Sequence, residues 1–481
     1  MAINISNEDY KVIKQQYIVK YLRLNILDFK FNVVNELSGR LTGCSIQCNA
    51  DSDIRRTCSV DMVVTDTSLD IQPGGQIFLD KYCQPYVGYE DIYTGEIQWY
   101  NQGIYMINQP SFQYSATTHT LSFSGIDLMG KMTGVRNGNL EGLPTVIPQG
   151  SNVREAMIST IGLAGFNSYI IEECKLNDGT IQPVPYDIEV QQGGTVYNIL
   201  TELRDIMPNY QIYFDVNGVF HYEPIPDGKD DPILIDDDLW PNVLIQENVS
   251  TDFESVKNYV EVYGKSHDID HYPSEISVSG SDITLTIASL PTTIDKYTMI
   301  GFTTPEGSAI SGNVTIKVNS FDAIALVDSS GKQIQSLDAN TYYVAYYQPA
   351  ENNVAATWLF LGHQQATAVS WDDNPDSPFY VDGPVGRIRI VLYGGDYDNI
   401  VSDELAKQRA DVEVYWRCRL NDSISLSCVP IPWMDVNIVM SHAMRGHTEQ
   451  GKYIIKSYSV DYGSETGQMT INAITFYEYY K

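Results

Sequence analysis

Short runs of alternating apolar and polar residues, separated by turn residues, extend along most of this sequence and favour a mainly β fold. Several runs have the length of a strand, and in the first part of the chain they lie at residues 58–65, 76–81, 103–108 and 120–126. The chain has 34 tyrosines against 14 phenylalanines and many Val, Thr, Asn and Gly residues, a mixture typical of strands joined by polar turns. We therefore predict a barrel or sandwich over about residues 1–135.

A different pattern begins after Gly150. Ser151 and Asn152 can cap a helix, and Thr195 can cap a second one over residues 195–207, where apolar residues recur at intervals of three and four. Residues 210–222 then form two apolar runs around Asn217-Gly218, the pattern of a β-hairpin. This part of the chain is predicted to be a small α+β domain.

The C-terminal third contains an ambiguous segment. Residues 411–420 alternate as a strand would, yet Ser402 is a helix cap and its following residues also fit one helical face. We predict a helix over residues 402–419. Residues 256–263 and 386–393 look like neighbouring strands of one sheet, so the short strands between them are predicted to form an inserted β-domain.

Charge and composition exclude several classes of protein. The chain has 30 Lys and Arg against 61 Asp and Glu, a formal net charge of −31, which argues against a surface that binds nucleic acid phosphates. The hydrophobic fraction of 43% is too high for a disordered acidic chain. Apolar runs are far shorter than the roughly 18–20 residues that cross a bilayer. The N-terminus has no basic region followed by an apolar stretch, so synthesis in the cytoplasm without stable membrane insertion is expected.

Motifs for catalysis or cofactor binding are not recognisable in the sequence. The seven cysteines contain no C-x-x-C pair, and His442 and His447 lack the spacing and the glutamate of a zinc hydrolase. Seven acids within residues 223–238 lack the spacing of a calcium loop and are interpreted as a solvated segment. We therefore expect no enzyme, no cofactor and no metal site, with all cysteines buried as free thiols.

An aromatic cluster in the inserted region offers two interpretations. Exposed rings can stack on sugars or anchor a protein partner, which makes this cluster a candidate ligand or partner patch. Packing within the domain core and between strands is the favoured alternative. The candidate residues are Tyr342, Tyr343, Tyr346 and Trp358.

Several segments, taken in order, resemble the baseplate hub, or tail-associated, family of long-tailed bacteriophages. Residues 44–62, with their Asp-rich turn and Arg55-Arg56-Thr57, and residues 124–131 look like its first barrel. The segments similar to its middle domain and second barrel are residues 192–200, 214–220, 256–264, 407–410, 429–437 and 451–458. The resemblance covers both ends of the chain and mainly omits the insertion.

This resemblance implies a mainly β fold with two tube-like β-barrel hub domains, an α+β middle domain and an inserted small β-domain. The first barrel is placed at residues 1–140 and the middle domain at residues 141–240. The second barrel, with one helix, is placed at residues 241–265 and 381–481, and the inserted sandwich-like domain at residues 266–380.

The resemblance also implies a structural role in the virion, at the tail tip or baseplate. Three copies would form a ring that adapts the sixfold tail tube to the tip and encloses a channel for the tape measure protein and then the DNA. Its partners would be further copies of this chain, the distal tail or tube ring, the tape measure protein, and tip, spike or receptor-binding proteins. The acidic charge predicts a net negative channel that DNA crosses without specific binding.

Two other functions stay open at this stage. The chain could be a carbohydrate-binding or receptor-binding tail protein that acts through the aromatic insertion. It could also be a cell-wall hydrolase, because a pair of catalytic carboxylates cannot be recognised from sequence alone. The structural hub is the leading hypothesis, and it implies that any lytic activity belongs to a partner.

Overall fold

A computed structural model describes most of the chain and confirms the predicted fold class. It is mainly β, and its helices are few. The described residues are 6–65, 67–140, 145–175, 179, 181–185, 187–191, 193–207, 210–226, 233–235, 237–269, 271–290, 293–307, 309–350, 355–444, 451–463 and 467–476.

One helix and eight strands make up the first part of the chain. They are α1 (Asn7–Ile13), β1 (Val19–Leu27), β2 (Val33–Ser38), β3 (Leu41–Asn49), β4 (Arg56–Val63), β5 (Tyr82–Glu90), β6 (Ile97–Asn101), β7 (Tyr105–Tyr114) and β8 (His119–Asp127). The strand predicted at residues 76–81 is wrong. That segment forms turns, in which Lys81 N–H donates to the carbonyl of Phe78, and it inserts the fully buried Ile77 into the core.

The middle part is an α+β region whose capped helices and hairpin confirm the sequence prediction. Its elements are β9 (Thr145–Ile147), α2 (Val153–Leu163), β10 (Tyr169–Ile171), β11 (Ile188–Val190), α3 (Val196–Asp205), β12 (Tyr210–Phe214) and β13 (Phe220–Pro224). Asn152 accepts a hydrogen bond from Glu155 N–H, and Thr195 accepts one from Asn198 N–H, so each satisfies a helix N-terminus. The helices share an apolar core with Leu27 and Leu128 of the first region.

The chain then passes through a short segment into the inserted sheet. The elements here are β14 (Ile233–Ile235), α4 (Trp240–Val243), β15 (Leu244–Asp252), β16 (Tyr259–Ser266), β17 (Glu275–Ser279), β18 (Asp282–Thr286), β19 (Met299–Thr303), β20 (Ile310–Ser311), β21 (Thr315–Val318), β22 (Ile324–Val327), β23 (Ser336–Leu337), β24 (Tyr342–Gln348) and β25 (Thr357–Gly362). Seven of these strands form one sheet, in the order β17-β18-β21-β22-β25-β24-β19.

The remaining elements return to the main body. They are β26 (Gln365–Trp371), β27 (Arg389–Tyr393), α5 (Asp403–Arg417), β28 (Asn421–Cys428), β29 (Val439–His442), β30 (Gly451–Asp461) and β31 (Met469–Phe476). The helix predicted at residues 402–419 is confirmed, with Ser402 as its N-cap. The expected pairing of residues 256–263 with 386–393 is also confirmed, because β16 and β27 pair in parallel.

Strand pairing differs from the predicted division at one place. Strand β26 lies within the predicted insertion of residues 266–380, but it pairs with β16, not with the inserted sheet. Strands β26, β16 and β27 form a small sheet of their own, and α5 packs on it. The domain boundaries themselves stay a prediction.

A large sheet connects the two ends of the chain. Its main path runs β15-β28-β31-β30-β3-β4-β8-β7-β5-β1-β2, and β6, β14 and β29 join it from the side. We call this the central sheet. One apolar cluster, which includes Ile46, Val60, Leu426 and Ile471, packs behind strands from both ends of the chain. The parts predicted as two barrels therefore share one sheet and one core.

Candidate functional site

The two ends of the chain meet where β3 pairs with β30, and we call this pairing the seam. It is antiparallel and runs from Ser45 opposite Asp461 to Asn49 opposite Ser457. Ile46 and Val460 lie opposite each other within it, and both are buried. Because directly opposite residues of an antiparallel pair share a face, the residues next to this pair, Gln47 and Ser459, point to the other side of the sheet.

That other side is a continuous surface of small polar side chains, which we call the polar face. Cross-strand pairing connects it: Ser59 lies opposite both Ser45 and Ser124, and Asn472 lies opposite both Ser457 and Ser425. All its members are partly or fully exposed. They are Ser45, Gln47, Asn49, Thr57, Ser59, Asp61, Ser122, Ser124, Ser423, Ser425, Ser427, Ser457, Ser459, Asp461, Thr470 and Asn472.

Hydroxyl and amide groups dominate the chemistry of the polar face. Asp61 and Asp461 are the charged members of the set, and Ile126 and Ile474 lie opposite Thr57 and Ser423 as apolar neighbours. Ser, Thr, Asn and Gln can donate and accept hydrogen bonds, so such a surface holds water without concentrating either sign of charge. A polyanion finds no cationic partners among these residues.

An open depression of about 360 Å³ lies on this face at the seam. Its lining includes Gln47 and Asn49 from β3, Ser457 and Ser459 from β30, and Asn472 from β31. Arg55, in the turn that precedes β4, also contributes to the lining. The depression thus lies where the residues of the polar face that come from β3 meet those that come from β30 and β31.

A buried ion pair lies at the end of the seam. Arg56 Nη2 is 2.5 Å from a carboxylate oxygen of Asp435, and only 2% and 4% of the two residues is exposed. Arg56 Nη1 donates to the carbonyl of Phe214, while its backbone N–H donates to Asp127. Burial is the largest single influence on the pKa of the Arg56 guanidinium and lowers it, but Asp435 and the neighbouring groups together outweigh burial, so the net pKa lies well above the ordinary value. The pair joins β4 to the C-terminal end of the chain.

Arg55 extends this network into the α+β region. Its Nη2 donates to Gln211 Oε1 at 2.7 Å, and its guanidinium lies 4.1 Å from the ring centre of Tyr213. The Tyr213 hydroxyl in turn donates to Glu223 Oε1 at 2.6 Å. These contacts fix the hairpin of β12 and β13 against the end of the seam.

His221 lies at the far end of the same network. Its Nδ1 is 3.3 Å from Glu223 Oε2, and its Nε2 is 3.6 Å from Asp215 Oδ2. Burial lowers the pKa of His221, but the two carboxylates outweigh burial and raise the pKa to about 9. The imidazole is therefore protonated at neutral pH and acts as a buried cation.

The four aromatic residues singled out in the sequence do not form one exposed patch. Trp358 is fully buried, and Tyr343 and Tyr346 are each 6% exposed. Tyr343 and Trp358 belong to one apolar cluster, whereas Tyr342 and Tyr346 belong to another. Tyr343 packs against Phe360 with ring centres 5.3 Å apart. The placement favours the packing interpretation, and a ligand role for these residues stays a prediction.

Sequence reasoning did not find the buried network. Arg55, Arg56 and Asp435 all lie in segments that carried the family resemblance, but nothing in the sequence showed that they meet. The available signal was two adjacent arginines directly before a strand whose apolar residues alternate. Positive charge so close to a core usually has a buried partner.

Other sequence predictions have mixed outcomes. All seven cysteines are free and buried, as predicted. Within the part of the chain that is described, no three His, Cys, Asp or Glu side chains are grouped to hold a metal, and none of the helices is long and apolar enough to span a membrane. His447 lies outside the described residues, and so do four of the seven acids at residues 223–238, namely Asp227, Asp230, Asp231 and Asp236.

Comparison with known proteins gives one match by sequence and several by structure. Residues 376–480 match a family described as a domain of unknown function, DUF5048. No curated protein matches the sequence.

Three solved structures align over nearly the full length. The 43 kDa tail protein of prophage MuSo2 from Shewanella oneidensis shares 11% identity over 94% of this chain and 98% of that one, with a TM-score of 0.50. A tail protein from Neisseria meningitidis MC58 shares 9% over 94% and 96%, with a TM-score of 0.49. The prophage tail protein gp18 from Listeria monocytogenes EGD-e shares 9% over 93% and 94%, with a TM-score of 0.43.

Proposed function

We propose that this chain is a structural hub protein of a bacteriophage tail tip or baseplate. It shares the fold of the Shewanella prophage tail protein over almost its entire length, which confirms at the level of fold the resemblance found in the sequence. In this proposal three copies form a ring that adapts the sixfold tail tube to the tip.

The observation that carries the proposal is the polar face of the central sheet. A sheet that buries its apolar side behind strands from both ends of the chain leaves a broad polar surface, with Ser59 near its middle and Ser425 toward one end. Such a surface suits the wall of a water-filled channel, because cargo can slide along hydroxyl and amide groups without charge pairing or apolar adhesion. We therefore assign the polar face to the channel that carries the tape measure protein and the DNA.

The charge of this face agrees with a conduit for DNA. Asp61 and Asp461 add negative charge, and negative charge repels phosphates. The predicted net negative channel rests on these two residues together with the acidity of the whole chain. The proposed partners are further copies of this chain, the tail tube or distal tail ring on one side, and tip, spike or receptor-binding proteins on the other.

The location of the chain in phage particles tests this function. An epitope tag is fused to the chain, particles are purified from the producing host, and the tag is located with an antibody by electron microscopy and three-dimensional reconstruction. We expect density on the tail axis, between the tube and the tip. An antibody against the major capsid protein, which should mark heads only, is the control.

Two results would overturn the proposal: a tag on side fibres, away from the tail axis, or particles that lack the chain and still have normal tail tips. The alternative of a carbohydrate-binding tail protein predicts binding to cell-wall glycans that Trp358→Ala abolishes. The burial of Trp358 and Tyr343 gives that alternative no exposed ring at those positions.

A further inference from the structure

The central sheet contains the same four-strand arrangement twice. Strands β3 and β4, then β8 and β7, lie side by side in the first unit. In the second unit β15 and β28, then β31 and β30, lie side by side in the same order. In each unit the first two strands in sequence lie side by side. The last strand in sequence lies next to the second, and the third in sequence takes the fourth position.

Irregularities in the pairing recur at the same place in the first strands and one residue pair apart in the strands at the fourth position. The first strand of each unit shifts register near its start, between Leu41 and Gly43 in β3 and between Leu244 and Gln246 in β15. The strands at the fourth position of each unit, β7 and β30, each carry a bulge. It lies between Asn108 and Ser111 in β7 and between Ile455 and Ser457 in β30. Because bulges set local twist and bending, irregularities at matching or adjacent places support the similarity of the two units.

These shared registers align the two units residue by residue. Ser59 of β4 pairs with Ser45, and Ser425 of β28 pairs with Asn248, which makes Ser45 equivalent to Asn248. Continuing along the strand, Ile46 corresponds to Val249 and Gln47 corresponds to Ser250. In the fourth strands, Ser459 and Ser111 are equivalent, and so are Val460 and Phe112.

The seam joins the fourth strand of one unit to the first strand of the other. The opposite ends of the units are open in a single chain. Among the described strands, β15 pairs only with β28, and β7 pairs with β5 only at Tyr105 and Met106. The rest of β7, at residues 107–114, is paired with β8 alone. An edge of this kind is a template for another strand.

We propose that β15 of one copy of this chain pairs with β7 of a neighbouring copy, in the antiparallel register of the seam. The alignment places Asn248 opposite Gln113, Val249 opposite Phe112, and Ser250 opposite Ser111. Pro110, at the bulge of β7, contributes no backbone donor there.

Side-chain chemistry matches across this second seam. Val249 is 39% exposed in the single chain, and Phe112 is half-buried against the edge of the core, so their contact repeats that of Ile46 with Val460. Ser250 continues the polar face, since its hydroxyl lies 2.7 Å from that of Ser423. Neither Lys nor Arg occurs at the six paired positions.

The contact is heterologous, because two different edges of the chain meet. Such contacts close into rings when the rotation between copies divides a full turn. In the proposed contact, the rotation between neighbouring copies follows from the rotation that relates the two four-strand units within one chain. The inference deepens the proposed function by naming the surfaces of self-association, and it rests on that function only for the number of three copies.

Disulfide cross-linking tests the predicted register. The variant with Ser250→Cys and Ser111→Cys, both exposed polar positions, should form disulfides between copies on oxidation, because directly opposite residues have Cβ atoms about 4.5–5.5 Å apart. Non-reducing gels should show dimer and larger bands up to the ring. The native cysteines are all buried, so the unmodified chain gives the background.

The chain provides a matched control at the equivalent positions of the existing seam. Gln47→Cys with Ser459→Cys should cross-link within one chain and give no larger bands. Each single variant, Ser250→Cys or Ser111→Cys, has one introduced cysteine and should therefore give no cross-linked species larger than a dimer on the non-reducing gel.

The proposal is overturned if the Gln47/Ser459 control cross-links while the Ser250/Ser111 variant does not, whether the protein is oligomeric or monomeric by light scattering. This outcome is separable from failure of the proposed function. A chain located on the tail axis without the cross-link refutes the second seam alone. A cross-linked ring found away from the tail refutes the hub alone.

Discussion

The seam and the open edges of the central sheet are equivalent places with different surroundings. Ile46 is fully buried at the seam, whereas its counterpart Val249 on β15 is 39% exposed. Both follow a register shift in the first strand of a four-strand unit. The difference shows that burial in this sheet is decided by the neighbouring strand and not by the unit itself.

A second difference concerns what supports the two places. The seam ends at the buried pair of Arg56 and Asp435 and at the network from Arg55 to Tyr213. The described contacts of Val249 include no comparable buried ion pair. The seam is thus part of the buried core of the fold, while the open edges at β15 and β7 are accessible to solvent.

The largest expected effect comes from breaking the ion pair at the seam. Asp435→Ala leaves Arg56 buried without its carboxylate and should lower the free energy of unfolding by about 3–5 kcal/mol. Urea denaturation followed by tryptophan fluorescence measures the loss. The double variant Arg56→Met with Asp435→Leu should recover much of it, because no charge is then left unpaired.

Glu8→Ala is the matched control for this variant. Glu8 pairs with Lys11 on the exposed side of α1, and surface pairs of this kind contribute about 0–1 kcal/mol. Equal losses for Asp435→Ala and Glu8→Ala would contradict the role assigned to the buried pair.

Truncation at equivalent positions gives the next largest effect. Ile46→Ala should cost about 2–5 kcal/mol, because it removes a fully buried side chain. Val249→Ala should change the stability of the single chain by only about 0.5 kcal/mol. Thermal or urea denaturation of dilute protein measures the loss of stability in each variant. A comparable loss in both would show that another strand already covers the edge of β15.

A smaller effect is expected from pH. The folded-state pKa of His221 is about 9, above the roughly 6.5 of an unfolded histidine, so protonation of His221 favours the folded state. Its contribution to stability is complete below about pH 6.5 and is lost as the pH rises toward 9.

Urea midpoints measured between pH 6 and 10 test this dependence. The wild type should lose stability across that range, and His221→Phe, which keeps the ring stacked beside Tyr213 but removes the charge, should lose less. Identical pH profiles for the two proteins would remove His221 as the cause.

Local elements were largely predictable from the sequence. The caps Ser402, Asn152 and Thr195 fixed three helices, and Asn217-Gly218 located the hairpin, because these signals act within a few residues. The strand predicted at residues 76–81 was wrong because its apolar residues are not a local signal. Ile77 is buried by distant parts of the chain, while the backbone around it forms turns.

Long-range features were not predictable in this way. The seam pairs Ser45 with Asp461, and no local pattern encodes that partner. Pairing of β26 with β16 is another case, since alternation predicts a strand but not the sheet that it joins. The burial of Trp358 likewise depends on strands around it.

The pairing of β3 with β30 also sets an order of events during translation. Residues 41–49 leave the ribosome early, whereas their partner residues 451–461 follow only after most of the chain has been made. Until then one edge of β3 has no native strand beside it, and exposed edges invite aggregation. The central sheet of a nascent chain therefore cannot close before residues 451–461 have been synthesised, and β3 must be protected from pairing with other chains until then.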